Sequence, residues 1–223
     1  MNAFHLKIIA IVTMVIDHIG YFFFPQYIAL RFIGRLSFPL FCWFVAEGAK
    51  HTQNEKKYLL RMFLFASVSQ IPFLLANQFL DPGYRTLNAI FTLSIGLGAI
   101  ILMRKIKNLP LRTVIAFSAF FLAEILLTDY GGAGVLSIVA FYFFPNIPSM
   151  ILSQIAIYGT FITMPAIVSS ADLLWRWEII GLLSIAFIAL YNGQQGPRAK
   201  YLFYVFYPLQ YAAIYLLLLL RAT

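Results

Sequence analysis

Along this chain the apolar positions fall into long runs, with most polar residues gathered in the short gaps between them. The runs lie near residues 6–24, 30–49, 58–76, 86–103, 111–127, 132–145, 149–164, 173–190 and 201–220. A helix needs roughly 17 to 25 such residues to cross the hydrocarbon core, where no water can satisfy an open backbone. The pattern predicts an all-α, polytopic integral membrane protein of about nine transmembrane helices. The sixth and seventh runs are short and share the break "FPNIP", from Phe144 to Pro148, which also suits a re-entrant hairpin. The gaps carry Pro, Gly and Asn ("NQFLDPGYR", "YNGQQGPRAK"), and none is long enough for a soluble domain. No internal repeat or low-complexity tract stands out. A single transmembrane domain over residues 1–223 is expected.

Composition points the same way: 62% hydrophobic, 17% aromatic and 11% charged, with a mean hydropathy of +0.85. A soluble chain of this size leaves too much surface wet to hide that apolar share. Asp17 and His18 interrupt the first run and no small-x-small site follows, so it reads as a retained helix rather than a cleaved signal. With the N-terminus in the cytoplasm, Lys7, Lys50, Lys56, Lys57, Arg61, Arg104, Lys105, Lys107, Arg112, Arg198 and Lys200 fall inside. Arg31, Arg35, Arg85, Arg176 and Arg221 fall outside. This bias sets the expected orientation. It explains the net charge of +8 better than a nucleic-acid surface, because the charges are spread over separate segments. A bacterial inner (plasma) membrane is the expected location. The single cysteine, Cys42, excludes an intrachain disulfide and fits no Cys-rich metal site; no metal is expected.

Ionisable residues inside apolar runs carry the candidate chemistry. Each costs roughly 2.5–3.5 kcal/mol at mid-bilayer on insertion scales, and such residues usually mark a pathway or a site. Lys7 and His18 are eleven steps apart in "LKIIAIVTMVIDHIGYFFF". On a helix that is ~16 Å along the axis and within about 20° of one face, whereas Asp17 lies about 100° from His18. The bland alternative has Lys7 snorkelling to the inner surface and His18 bonded to a neighbouring helix. In the second run Arg31 and Arg35 sit one turn apart near the outer end, at the level of Asp17 and His18. Arg31 reads as an interfacial anchor. Arg35 lies deeper and needs a partner, for which Asp17 is the candidate. Glu47 and His51 sit one turn apart near the inner end, at the level of His5 and Lys7, and Glu47 also reads as an ion pair with Lys50 or Arg61.

Further along, Ser69, Gln70, Asn88 and Thr92 read mostly as interhelical glue, and the Tyr and Phe of "KYLFYVFYPLQY" as packing or interface belt. Asp172 and Arg176, one turn apart, read as an outer-surface pair. Glu124 and Glu178, both toward the outer side, are harder to explain by packing.

The segments "LKIIAIVTMVIDHIG", "RFIGRLSFPLF", "AEGAKHT", "KKYLLRMFLFASVSQIPF", "LNAIFTLSIGLG", "DYGGAGVLSI", "YNGQQG" and "KYLFYVFYPLQ" resemble, in this order, the TraX family, named for the conjugative pilin acetylase. The likeness runs from about Leu6 to Gln210. The Lys7-x10-His18 spacing also resembles the Arg/Lys-x10-His motif of membrane acyltransferases that carry acetyl groups across the membrane. One departure is Gln210, where family members often have His. The resemblance implies an acetyl-CoA-dependent acyltransferase with His18 tied to catalysis, and a pilin-like peptide, accepting through its N-terminal amine, as the partner. A surface glycan hydroxyl is the competing acceptor. In that scheme Asp17 holds Arg35, and Arg35 or Asn88 meets the oxyanion, with Glu124 and Glu178 on the acceptor side. Lys7, Glu47, Lys50, His51, Lys57 and Arg61 lie toward the donor phosphates. The residues alone leave two other classes open. Asp17, His18, Glu47, Glu124 and Glu178 also suit a proton relay in a coupled transporter, and the chain also suits a non-catalytic assembly factor.

Overall fold

Asparagine starts the helices of this protein. In the computed structural model, which describes residues 1–163, 178–197 and 200–222, the side chains of 161–163 and 200–204 aside, five helices begin at an Asn whose side-chain oxygen accepts a backbone N–H. Asn2 takes His5 N at 3.1 Å, Asn54 takes Lys57 N at 2.9 Å, and Asn88 takes Ile90 N at 3.0 Å. Asn108 takes Leu111 N at 3.1 Å and Asn146 takes Ser149 N at 2.9 Å. Each cap satisfies one of the donors that a helix start leaves open, which is costly to omit where water is scarce.

The helices are α1 (Ala3–Phe23), α2 (Ile28–Gly34), α3 (Ser37–His51), α4 (Glu55–Leu80), α5 (Ala89–Met103), α6 (Leu109–Ile125), α7 (Gly131–Phe143) and α8 (Ile147–Thr163). A 3-10 helix over Glu178–Leu183 runs into α9 (Ser184–Ala189), and α10 covers Lys200–Ala222. The only extended pairing among the described residues is an isolated parallel bridge, Leu87 with Thr128. The fold is all-α. Among the described residues, four stretches are long and apolar enough to cross a membrane: Ala3–Phe23, Ile28–His51, Glu55–Leu80 and Val205–Ala222. Ala89–Met103, Gly131–Phe143 and Glu178–Ala189 are shorter apolar stretches. The expected Asp172–Arg176 pair and the start of the 173–190 run lie outside the described residues, as does Arg198.

One expected span is broken. The run at 30–49 becomes α2 and α3, joined by a turn at Arg35 and Leu36. Pro39 explains the position: with no N–H it cannot bond the carbonyl four residues back, which is that of Arg35. The break places the Arg35 side chain at a helix junction rather than on a continuous face.

The chain divides into two compact units. The first comprises Met1–His51 and Leu136–Arg198. In it α1 packs on α2 and α3, while the 3-10 helix and α9 pack on α3 and α8. Its N-terminal backbone is stitched to the 192–194 loop, with Ala3 N donating to Gln194 O at 2.8 Å and Asn192 N to Met1 O at 2.9 Å. The second unit comprises Thr52–Val135 and Ala199–Thr223. There α4 packs on α10 and α5, and α5 on α6. Its loops are pinned by Leu87 N to Leu127 O (2.9 Å) and Asp129 N to Leu87 O (2.7 Å). Of the α6 side chains only Ala123 is buried, the pattern of a helix facing lipid.

Candidate active site

The buried stripe of α1 runs through Ala3, Leu6, Ala10, Thr13, Met14, Asp17 and Gly20. Six of these positions are apolar or self-satisfied; the Thr13 hydroxyl, for instance, donates back to Ile9 O at 2.8 Å. Asp17 is the exception. Its carboxylate meets Arg31 Nη1 at 2.7 Å through Oδ2 and Arg35 Nη2 at 3.3 Å through Oδ1. Arg35 Nη1 is in turn bonded to Glu178 Oε1. Two guanidinium groups and two carboxylates thus form a chain, Arg31–Asp17–Arg35–Glu178, whose formal charges sum to zero. Charges taken from water are tolerable when paired in this way.

The expected Asp17–Arg35 pair is present. Arg31, read from the sequence as an interfacial anchor, is instead the second cation on Asp17. It also donates to the Asp17 carbonyl at 3.3 Å and lies 5.1 Å over the Tyr21 ring. The physical reason is capacity: a carboxylate has two oxygens, and Arg35 engages one. Gly34 makes the approach possible, since a Cβ there would fall on the Asp17 carboxylate itself.

His18 is one step round from Asp17 and half-buried. Phe4, Lys7, Ile11, Val15 and His18 recur at intervals of three and four and share that half-buried state, a stripe along the flank of the packed face. Lys7 and His18 therefore lie at two ends of one accessible edge of α1, with the charge chain behind it. Lys7 Nζ sits 5.6 Å over the Phe44 ring. Near the opposite end of α3, Glu47 receives Lys50 at 3.2 Å and His51 at 3.0 Å. Trp43 stacks edge-on to Tyr191, ring centroids 5.0 Å apart. Burial, with the Glu47 carboxylate, pushes the Tyr191 phenol above its ordinary value, so it remains neutral at physiological pH.

The remaining sequence candidates lie in the second unit. Lys57 is exposed in the first turn of α4. Arg61 lies 5.4 Å over the Tyr58 ring. The Asn88 amide is committed: it caps α5 and donates to Ala66 O and to Gln70 Oε1, each at 2.8 Å. Glu124 accepts the Gly132 N–H at 2.7 Å, a carboxylate at the start of α7, where opposite partial charge favours it. Gly131 has φ of +45°, and a Cβ there would meet the same carboxylate.

Two features escaped the sequence reading. Glu178 is a direct partner of Arg35, although 143 residues separate them. Gln154 and Tyr158 of α8 are fully buried. Ser137 Oγ donates to the Tyr158 hydroxyl at 3.1 Å, and Gln154 Nε2 donates to Ser137 O at 3.3 Å. Gln154 and Tyr158 are one turn apart, and that spacing was the available signal.

The TraX protein family model matches residues 3–218. A protein of Dichelobacter nodosus named "Probable fimbrial assembly protein FimC, serogroup H1" is 32% identical over 237 residues, covering 96% of this chain and 94% of its own. "Uncharacterized protein RP591" of Rickettsia prowazekii (strain Madrid E) is 46% identical over 39 residues, 18% of this chain and 16% of its own. No solved structure matches. A family match over nearly the whole chain, with a full-length relative, shows that this protein belongs to the TraX family.

Proposed function

We propose that this membrane protein is an acetyltransferase, moving acetyl from cytoplasmic acetyl-CoA to an acceptor at the outer face of a bacterial inner membrane. The topology that goes with this reading has the N-terminus in the cytoplasm and nine crossings. The acceptor that family membership favours is the N-terminal amine of a pilin-like peptide, in keeping with the fimbrial name of the Dichelobacter relative. One observation carries the reading: Lys7 and His18 share the half-buried edge of α1, and the charge chain lies against the helix at His18.

Lys7 and Lys50 supply cationic groups for the donor's phosphates. The ~16 Å between Lys7 and His18 along the helix suits an extended thiol arm reaching from one to the other. The acceptor nitrogen attacks the thioester carbonyl, forming C–N as C–S breaks. His18 takes the proton from nitrogen, and the sulfur leaves as the thiol after protonation. Asp17, Arg31, Arg35 and Glu178 act as positioning charges: they fix α1 against α2 and the 3-10 helix, so His18 is presented at a constant height.

The test is CoA release by the purified protein in nanodiscs, given acetyl-CoA and a short peptide with a free amino terminus. Release is expected from wild type, at least a hundredfold less from folded His18→Ala, and none with the N-acetylated peptide. Equal release from His18→Ala would overturn the assignment. No release from either, together with a pH-gradient-dependent proton flux, would replace the enzyme with a coupled transporter.

A further inference from the structure

One end of the second unit is strongly basic. The stretches 52–61 and 104–112, at the start of α4 and across the turn from α5 to α6, carry Lys56, Lys57, Arg61, Arg104, Lys105, Lys107 and Arg112 against a single acid, Glu55. Two contacts draw these segments together. Glu55 Oε1 meets Arg104 Nη2 at 2.7 Å, tying the first turn of α4 to the end of α5. Arg112 Nε donates to Ile106 O at 2.5 Å, folding the start of α6 onto the Lys105–Lys107 turn. Arg104 is thereby matched by a carboxylate. Among the described residues, Lys56, Lys57, Lys105 and Lys107 are paired with none, and all four are exposed.

The cations thus form two sets, one on each side of the neutral Glu55–Arg104 bridge. Lys56, Lys57 and Arg61 stand on α4; Lys105, Lys107 and Arg112 stand at the α5–α6 turn. Each set leads into apolar surface. From Lys56, Leu60 and Leu64 follow at intervals of four along α4, and on α6 Leu111, Val114, Phe117 and Phe121 follow at three and four. All six of these apolar side chains are exposed. A soluble phosphate compound would engage the cations and leave both apolar rows uncovered, whereas a lipid engages both.

We propose that this surface holds a phospholipid with two phosphate groups in one molecule, of the cardiolipin class. One phosphate meets each set of cations, and the acyl chains lie along the two apolar rows. Basic side chains beside a membrane are attracted to anionic headgroups. Joining two phosphates makes the second contact intramolecular, which favours this lipid over one with a single phosphate. Lys57 and Arg61, which the family resemblance set toward the donor phosphates, serve the lipid instead. The site stands apart from acetyl transfer and needs no acetyl donor.

The experiment uses the full chain in dodecyl maltoside micelles without acetyl-CoA, read by thermal unfolding. It is titrated with cardiolipin, phosphatidylglycerol or phosphatidylcholine at matched phosphate. Cardiolipin is expected to raise Tm saturably, at a half-saturating phosphate concentration at least tenfold below that of phosphatidylglycerol; phosphatidylcholine should leave Tm unchanged. The double variant Lys105→Gln/Lys107→Gln should raise the cardiolipin concentration needed about tenfold. Arg85→Gln/Arg221→Gln, which removes the same charge elsewhere in the unit, should not. All four side chains are exposed, and each variant's own lipid-free Tm is its baseline. Equal response to cardiolipin and phosphatidylglycerol, or equal weakening in both double variants, would overturn the site. So would displacement of cardiolipin by inorganic pyrophosphate at equal phosphate, which would assign the cations to a soluble ligand.

Discussion

Arg35 is the residue on which most of the buried charge depends. Among the described residues it alone is paired with both acids, Asp17 and Glu178. Arg35→Met removes the cation paired with Glu178 and one of the two on Asp17, so unfolding in detergent should show a loss of about 3–5 kcal/mol, as when one partner of a buried pair is removed. Arg31→Met should cost less, since Asp17 keeps Arg35. The Asp17–Arg35 half of this arrangement was legible in the sequence, because a lone acid in an apolar run needs a cation at the same depth. The Glu178 half was not, because no periodicity links positions that far apart. Arg31 was misread for a related reason. Its place near a run's end matched an anchor, and depth along a helix says nothing about which way a long side chain turns.

At the level of elements, the apolar runs foretold helices, whereas the Asn caps that start five of them came only with the structure. The sequence concealed how runs are interrupted. The Arg35–Leu36 turn was encoded by Pro39, four residues downstream of the carbonyl it frees, and the 3-10 conformation of Glu178–Leu183 has no distinct pattern in so short a segment. Glu124 illustrates the same limit. Its depth in an apolar run suggested chemistry, whereas its oxygen holds the start of α7 through Gly132 N. Glu124→Ala should therefore lower stability by about 1 kcal/mol, the cost of a lost helix cap, as measured by thermal unfolding. Glu124→Gln, which keeps an acceptor oxygen, should recover most of it.

For the whole molecule, charge decides orientation, and the structure sharpens that argument. Arg31 and Arg35 were part of the outer tally, yet both are engaged by carboxylates within the helical packing rather than standing in a loop. Setting them aside leaves the positive-inside bias stronger. Arg85 and Lys107 are both exposed, and the N-in orientation places them on opposite faces. Arg85→Cys should react with a membrane-impermeant maleimide in right-side-out spheroplasts, and Lys107→Cys only after permeabilisation; the reverse pattern would invert the topology. Such mapping is unusually direct here. Cys42 is fully buried, and a thiol sealed in apolar surroundings is inert. The natural chain is therefore already a dark background, on which a single introduced thiol is the only label that lights up.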